Sequence, residues 1–267
     1  MVSDVSFNEI LGLESTAQIL NEKDKLRRMS EGKGCVLCNY TGYTKSDSGK
    51  AILCSCEKER FYRKVYRKSN VPLLFIGKTL DDWNTRTDSS GKDLGAEEQT
   101  SERVFTILKF YERTIDKIVD NECPRVRHSG HLVNKLHSIL FDGKSGSGKT
   151  FIASVMVQAA IRKNLTARYY EWSDLISTIT DFDKKDEFEM INEEFKNLDF
   201  IVIDGIEQYS YTHPHFVQNL DRLAKSRLNS GKPTFLMVLG STSNISSGSG
   251  WNSLVSNCLS IRLPYIR

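Results

Sequence analysis

Gly143-Lys144-Ser145-Gly146-Ser147-Gly148-Lys149-Thr150 reads G-x-x-x-x-G-K-T, the pattern of a phosphate-binding loop. Each position has a chemical task. Glycines let the backbone curl until successive N–H groups face one phosphate chain. Lys149 reaches the β- and γ-phosphates of ATP, and the Thr150 hydroxyl ligates Mg²⁺. Such a loop must leave a strand and open a helix. Ser138-Ile139-Leu140-Phe141-Asp142 supplies the short apolar strand. Phe151-Ile152, Val155-Met156 and Ala159-Ala160 then recur at helical spacing. The N-terminus of that helix adds its dipole and unpaired N–H groups to the anion site.

Downstream, Ala167-Arg168-Tyr169-Tyr170-Glu171 reads as a strand, with a helical stretch from Ser173 onward. Asp199-Phe200-Ile201-Val202-Ile203-Asp204 is an apolar run ending in aspartate. Its β-branched content fits a strand buried on both faces of a parallel sheet. Asp204 at its end is placed to hold Mg²⁺ through water; the plainer reading of such an aspartate is a turn or helix cap. Pro214 to Leu228 reads as helix. Pro233 to Leu239 reads as the next strand, running into Gly240-Ser-Thr-Ser-Asn244. A polar residue at that tip, Asn244, is placed to touch the γ-phosphate or its attacking water. Ser246 to Gly250 reads as a flexible loop, and Leu259 to Leu263 as a last short strand.

At 267 residues the chain has room for one full domain and a smaller module. A core of that size buries roughly three quarters of the unfolded surface. Hydrophobic residues make up 39% and charged residues 27%, as in globular proteins. The net charge of +3 is too small to establish a polyanion partner. No run of 18 apolar residues is present, so no membrane span is expected. Met1 to Gly12 lacks the basic start and apolar core of a signal peptide. Six cysteines, four of them clustered, suggest a reducing compartment and a metal. A cytoplasmic location is expected.

Residues 1–30 read as a weakly amphipathic helix, either solvated or a docking element for a partner protein. Cys35 and Cys38 form one pair and Cys54 and Cys56 another, 15 residues apart. Two close pairs bridged by a hairpin-length segment present four thiolates tetrahedrally, so a Zn²⁺ site is expected; four reduced structural cysteines are the alternative. A basic, aromatic stretch follows, with Lys58, Arg60, Phe61, Tyr62, Arg63, Lys64, Tyr66, Arg67 and Lys68. Cations for phosphates and rings for base stacking suit single-stranded nucleic acid. An exposed helical face with Phe61, Val65 and Tyr62 packed inward fits equally well. Residues 84–100 read as linker. Val104, Ile107, Leu108, Tyr111, Ile115 and Ile118 trace one face of a long helix. Asn121 to Lys135 reads as irregular.

Four features together resemble the DnaC/DnaI/IstB group of AAA+ ATPases, the bacterial and phage helicase loaders and their transposition relatives. They are the cysteine module leading into a basic helix, Ser69-Asn70-Val71-Pro72 with Leu80-Asp81-Asp82-Trp83, the P-loop, and Gly231-Lys232-Pro233-Thr234 running to Thr242-Ser243-Asn244. The resemblance covers roughly residues 35–266. It implies an α/β P-loop NTPase fold: a five-stranded parallel sheet, order 5-1-4-3-2, with helices on both faces and a small N-terminal zinc module. It also implies a bacterial or phage-infected cell, and single-stranded DNA and a replicative hexameric helicase as partners, with assembly into a homo-oligomer on either. The expected division is a partner-binding and zinc module over 1–68, a connecting segment over 69–100 and the ATPase over 101–267.

Departures from the family pattern bear on catalysis. The family has an acidic residue directly after the Walker B aspartate; Gly205 stands there, and Glu207 comes two positions on. Glu207 reaches attacking water only if the strand end bulges. The family's arginine finger position reads Ser256-Asn257, leaving Arg262, Arg227 and Arg222 as substitutes. No small helical lid follows the last strand. Slow hydrolysis, or ATP as a conformational switch, is the expectation. The reading is an ATP-binding helicase loader that grips single-stranded DNA through residues that include Arg63, Lys64, Arg67 and Lys68. An ATP-gated DNA-binding adaptor for transposition is the second reading, and a zinc-bearing P-loop kinase a weaker third.

Overall fold

A computed structural model describes residues 35–46, 49–83, 95–120, 126–128, 131–133, 137–207, 214–240 and 249–263. The expected N-terminal helix over 1–30, most of the linker and Asn244 lie outside these residues. The chain divides into two compact units, Met1–Lys64 and Val65–Arg267.

In the first unit a 3₁₀ turn over Val36–Cys38 leads to a short hairpin. Its strands are β1 (Tyr43–Lys45) and β2 (Ala51–Leu53), antiparallel with Tyr43 opposite Leu53. Asn39 and Tyr40 turn the chain through positive φ, 45° and 65°. Helix α1 (Ser55–Lys68) follows, its last turn from Val65 on belonging to the second unit, with Glu57 in its first turn and Arg67 and Lys68 in its last. That charge order complements the helix dipole.

The second unit is built on a sheet whose inner strands bury mostly apolar side chains, with Ser138, Asp142, Asp204 and Thr234 the buried polar ones. Helix α2 (Gly95–Val119) precedes it. The helix starts at Gly95, so the tail of the expected linker is helical. Its buried residues are Val104, Ile107, Leu108, Tyr111, Ile115 and Ile118, the predicted face. β3 (Val126–His128) and β4 (His131–Val133) pair as an antiparallel ribbon where irregular chain was expected. The Ser129-Gly130 dipeptide between them is a turn signal flanked by extended-prone residues.

Then come β5 (Ser138–Gly143), α3 (Lys149–Arg162), β6 (Ala167–Glu171), α4 (Trp172–Thr180), α5 (Lys185–Asn197), β7 (Phe200–Ile206), α6 (Pro214–Ser230), β8 (Thr234–Leu239), α7 (Ser249–Ser256) and β9 (Cys258–Arg262). Helix α7 begins inside the segment expected as flexible loop. The sheet runs β6-β7-β8-β5-β9, all parallel. Numbered along the chain and read from the other edge, that is 5-1-4-3-2, the expected order.

Alternation along the strands sends residues to two packed faces. Ile139 and Phe141 of β5 are fully buried, and Phe141 meets Phe235, which stacks against Phe200 and Tyr111 of α2. On the opposite face Leu140, Ile201, Ile203, Leu236 and Val238 pack with Trp172, Phe195, Leu223 and Trp251 from α4–α7. Helices on both faces satisfy what a parallel sheet requires. The carboxyl ends of β5 and β7 are thereby fixed on one edge.

Arg227 is a structural hub in this layer and not a spare cation. It is 1% exposed. Its guanidinium donates to Thr234 Oγ1, and to the carbonyls of Phe195, Leu198, Asp199 and Pro233. Burial draws its pKa down to about 9. The accepting oxygens keep the cation satisfied at neutral pH.

Candidate nucleotide site

The P-loop spans the gap between β5 and α3, as its sequence demands. Gly148 caps α3 at φ 87°, in the left-handed region where a side chain is strained. Lys149 is buried, and its ammonium folds back onto the loop. It donates to the Gly143 carbonyl at 2.7 Å, the Lys144 carbonyl at 2.7 Å and Ser147 Oγ at 3.1 Å. Burial lowers its pKa, while the carboxylates of Asp204 and Asp142 push the other way. Thr150 lies half-buried in the first turn of α3. Trp83 lies beside the loop: a methyl group placed on Gly148 would be 3.8 Å from its ring. Trp83 also packs edge-on to Phe151, at 6.0 Å between ring centres.

Asp204 ends the apolar part of β7 and is buried. Its Oδ2 accepts the Tyr169 hydroxyl at 2.7 Å, and its Oδ1 accepts the Gly205 N–H at 2.8 Å. The β7–β8 ladder shifts between Ile203 and Ile206, and Gly205 adopts φ 75° within that shift. The strand end therefore bulges. Glu207 is half-buried just beyond β7. The contact of Tyr169 with Asp204 was not legible in the sequence, where Tyr169 read only as a strand residue.

The arginine substitutes are mostly committed elsewhere. Arg227 is locked in the core. Arg222 makes a two-pronged bond to Glu189, 2.7 Å to each oxygen, and covers the Phe188 ring. Arg262 reaches Asp142 Oδ2 at 3.2 Å from an otherwise exposed position. The other oxygen of Asp142 is buried without a hydrogen-bond partner among the described residues. Asn257 donates to the Ser253 carbonyl at 2.8 Å.

In the first unit the Sγ atoms of Cys35, Cys38, Cys54 and Cys56 all lie within 4.8 Å of one another. Cys35 and Cys54 are 3.8 Å apart, and Cys38 and Cys56 are 3.7 Å apart. A zinc tetrahedron with bonds of about 2.3 Å has edges of about 3.8 Å, so the four thiols fit that group. Burial raises the Cys54 pKa, but the backbone and side chain of Cys56, then Cys35 and Ser55, outweigh it and bring the value to about 7. Burial and the neighbouring thiols push Cys56 up.

On α1, Arg63, Lys64, Arg67 and Lys68 are exposed, with Arg63 3.1 Å from Glu59. Tyr66 does not join the stacking surface expected of it. It is 1% exposed, and Arg162 of α3 reaches its hydroxyl at 3.4 Å. Among the described residues, no helix is long and apolar enough to cross a membrane.

A parallel five-stranded sheet with a P-loop after β5, the strand between β8 and β9, is an α/β fold of the P-loop type. Residues 110–225 match the family model described as IstB-like ATP binding protein. No curated protein matches the chain in sequence. Among solved structures, the DnaC helicase loader aligns at TM-score 0.50 and 14% identity, over 72% of this chain and 99% of that one. The replication initiator DnaA bound to AMPPCP and single-stranded DNA aligns at TM-score 0.51 and 11% identity, over 72% and 50%. A DNA replication initiation factor aligns at TM-score 0.50 and 12% identity, over 70% and 49%. At such identities the likeness concerns the fold. The chain spans about half the length of the two initiation proteins.

Proposed function

We propose that the protein is an ATP-binding helicase loader, with ATP as its switch. One observation carries the reading: the P-loop after β5 and the buried Asp204 on β7 lie at the same carboxyl edge of the sheet, on the two strands that flank β8, in a segment similar to an IstB-like ATP-binding family. Gly143 to Thr150 would cradle the phosphates. Lys149 would exchange its loop carbonyls for β- and γ-phosphate oxygens. Thr150 and Asp204 would hold Mg²⁺, the latter through water. Asn244 and Glu207 are the candidates for contact with the attacking water. Bound Mg²⁺ would neutralise charge on the transferring phosphate.

The partners proposed are single-stranded DNA and a replicative hexameric helicase, with self-assembly on either. The exposed Arg63, Lys64, Arg67 and Lys68 support the DNA part. Zn²⁺ held by Cys35, Cys38, Cys54 and Cys56 would stiffen the N-terminal module, and the cytoplasm is the proposed location. The IS21 label of the matching family favours a second reading, an ATP-gated adaptor for transposition. A pull-down from host extract, with and without ATP, separates the two. A hexameric helicase retained with ATP supports the loader. A transposase in its place supports the adaptor, and neither partner with either nucleotide state overturns both.

A further inference from the structure

Tyr169 lies on β6, the strand paired with β7. In that ladder Tyr169 is opposite Val202, and Glu171 is opposite Asp204. Tyr169 therefore reaches Asp204 along the diagonal, a distance that aromatic side chains span between neighbouring strands. The contact is a hydrogen bond of 2.7 Å between two buried residues. The second oxygen of Asp204 is held by the Gly205 N–H at 2.8 Å. Each oxygen thus has one fixed donor, and the carboxylate cannot rotate without breaking one of the two bonds. An ionised carboxylate offers about four lone-pair directions, so one remains on each oxygen.

We propose that Tyr169 is a positioning residue for Mg²⁺–nucleotide, acting through Asp204: it aims the remaining lone pairs of the carboxylate at metal-bound water. The inference rests on the reading of Asp204 as the metal's partner. Mg²⁺ demands near-ideal octahedral geometry, so a carboxylate left free to swing serves it poorly. The phenol is a dependable donor. Burial, then the charge of Asp204, raise its pKa well above the ordinary tyrosine value, so it stays protonated. Phenylalanine at this position would fill nearly the same space and supply no donor.

The test uses the full chain and a fluorescent ATP analogue, titrated with Mg²⁺ and separately in EDTA. Asp204→Asn is the reference and should abolish the gain in affinity that Mg²⁺ gives. Tyr169→Phe should bind the analogue in EDTA within about twofold of the wild type, which shows that the P-loop is folded. Its half-saturating Mg²⁺ concentration should rise about tenfold, the lower end of what losing a ligand's hydrogen-bond partner costs. A Mg²⁺ curve superimposed on the wild type's overturns the proposal. So does an equal loss of affinity in EDTA and in Mg²⁺, which would make Tyr169 a packing residue. If Asp204→Asn leaves the Mg²⁺ effect intact, the metal reading of Asp204 fails and the proposal falls with it. That outcome is recognisable without touching Tyr169.

Discussion

Ile206 lies opposite Val238, although three positions earlier Ile203 lies opposite Leu236 only two positions before Val238. β7 therefore carries one residue more than its neighbour at this point, the definition of a bulge. Gly205 absorbs it at φ 75° with open space where a Cβ would stand. Gly205→Ala should cost about 1–2 kcal/mol of stability through backbone strain alone, since nothing clashes. Chemical denaturation would measure it. A variant as stable as the wild type would place residue 205 in ordinary extended backbone.

How much of this was readable beforehand depends on how local the cause is. Strands β5, β7 and β8 were legible because each is a nearly continuous apolar run, and α2 because its buried face repeats at helical spacing. The P-loop was legible because its chemistry is confined to neighbouring residues. The bulge was half legible: a glycine inside a strand pattern signals a bulge or a close approach. Arg227 was not, because its carbonyl acceptors come from separate segments that only the fold gathers. Tyr169 was hidden for the same reason, since its partner sits 35 residues away on the next strand.

Arg227 should tolerate no substitution cheaply. Removing the guanidinium strands the buried carbonyls of Phe195 and Pro233 and the half-buried ones of Leu198 and Asp199. Each buried polar group left unpaired costs about 1–3 kcal/mol. Arg227→Met should therefore lower the unfolding free energy by about 3 kcal/mol or more, read from the urea midpoint. Were Arg227 a catalytic finger, the same change would spare stability and slow hydrolysis.

The cysteine module should lose its metal in acid. Zinc binds thiolates, so protons compete with it for the four sulfurs. Metal release from zinc-loaded protein, followed with a chromophoric chelator, should rise as pH falls. Cys38→Ser should release the metal already at neutral pH. Binding of ATP in the second unit should survive. Protein purified without chelators and free of zinc would overturn the metal assignment.

Nucleotide should be visible through one tryptophan. Trp172 and Trp251 are buried and packed on each other at 5.4 Å between ring centres, on the face away from α2. Trp83 is half-buried beside Gly148. Adding ATP and Mg²⁺ should change the intrinsic emission, and Trp83→Phe should remove that change while leaving affinity within about tenfold, since one edge contact contributes about 0.5–1.5 kcal/mol at most. A signal that persists in Trp83→Phe would place the responsive ring in the core.

Hydrolysis by the isolated chain should be slow. Orienting the attacking water needs a carboxylate, and stabilising the transferred charge needs an arginine, which is worth about 10³–10⁵ in rate. The bulge puts the apolar, fully buried Ile206 opposite Val238, and Gly205 brings no side chain. Glu207 comes after the strand has ended. Of the three candidate arginines, Arg227 is sealed in the core, Arg222 is paired with Glu189, and Arg262 stands exposed, tied to Asp142 at 3.2 Å. Turnover should fall below about 10⁻² per second, the range of P-loop proteins that lack a supplied finger. Lys149→Ala should abolish binding of ATP, whereas Glu207→Gln should leave the slow rate within about twofold. A general base contributes about 10²–10⁴, so a hundredfold fall in Glu207→Gln would instead make Glu207 that base. Turnover of about ten per second or more by the purified wild type would remove the ground for a binding-driven switch.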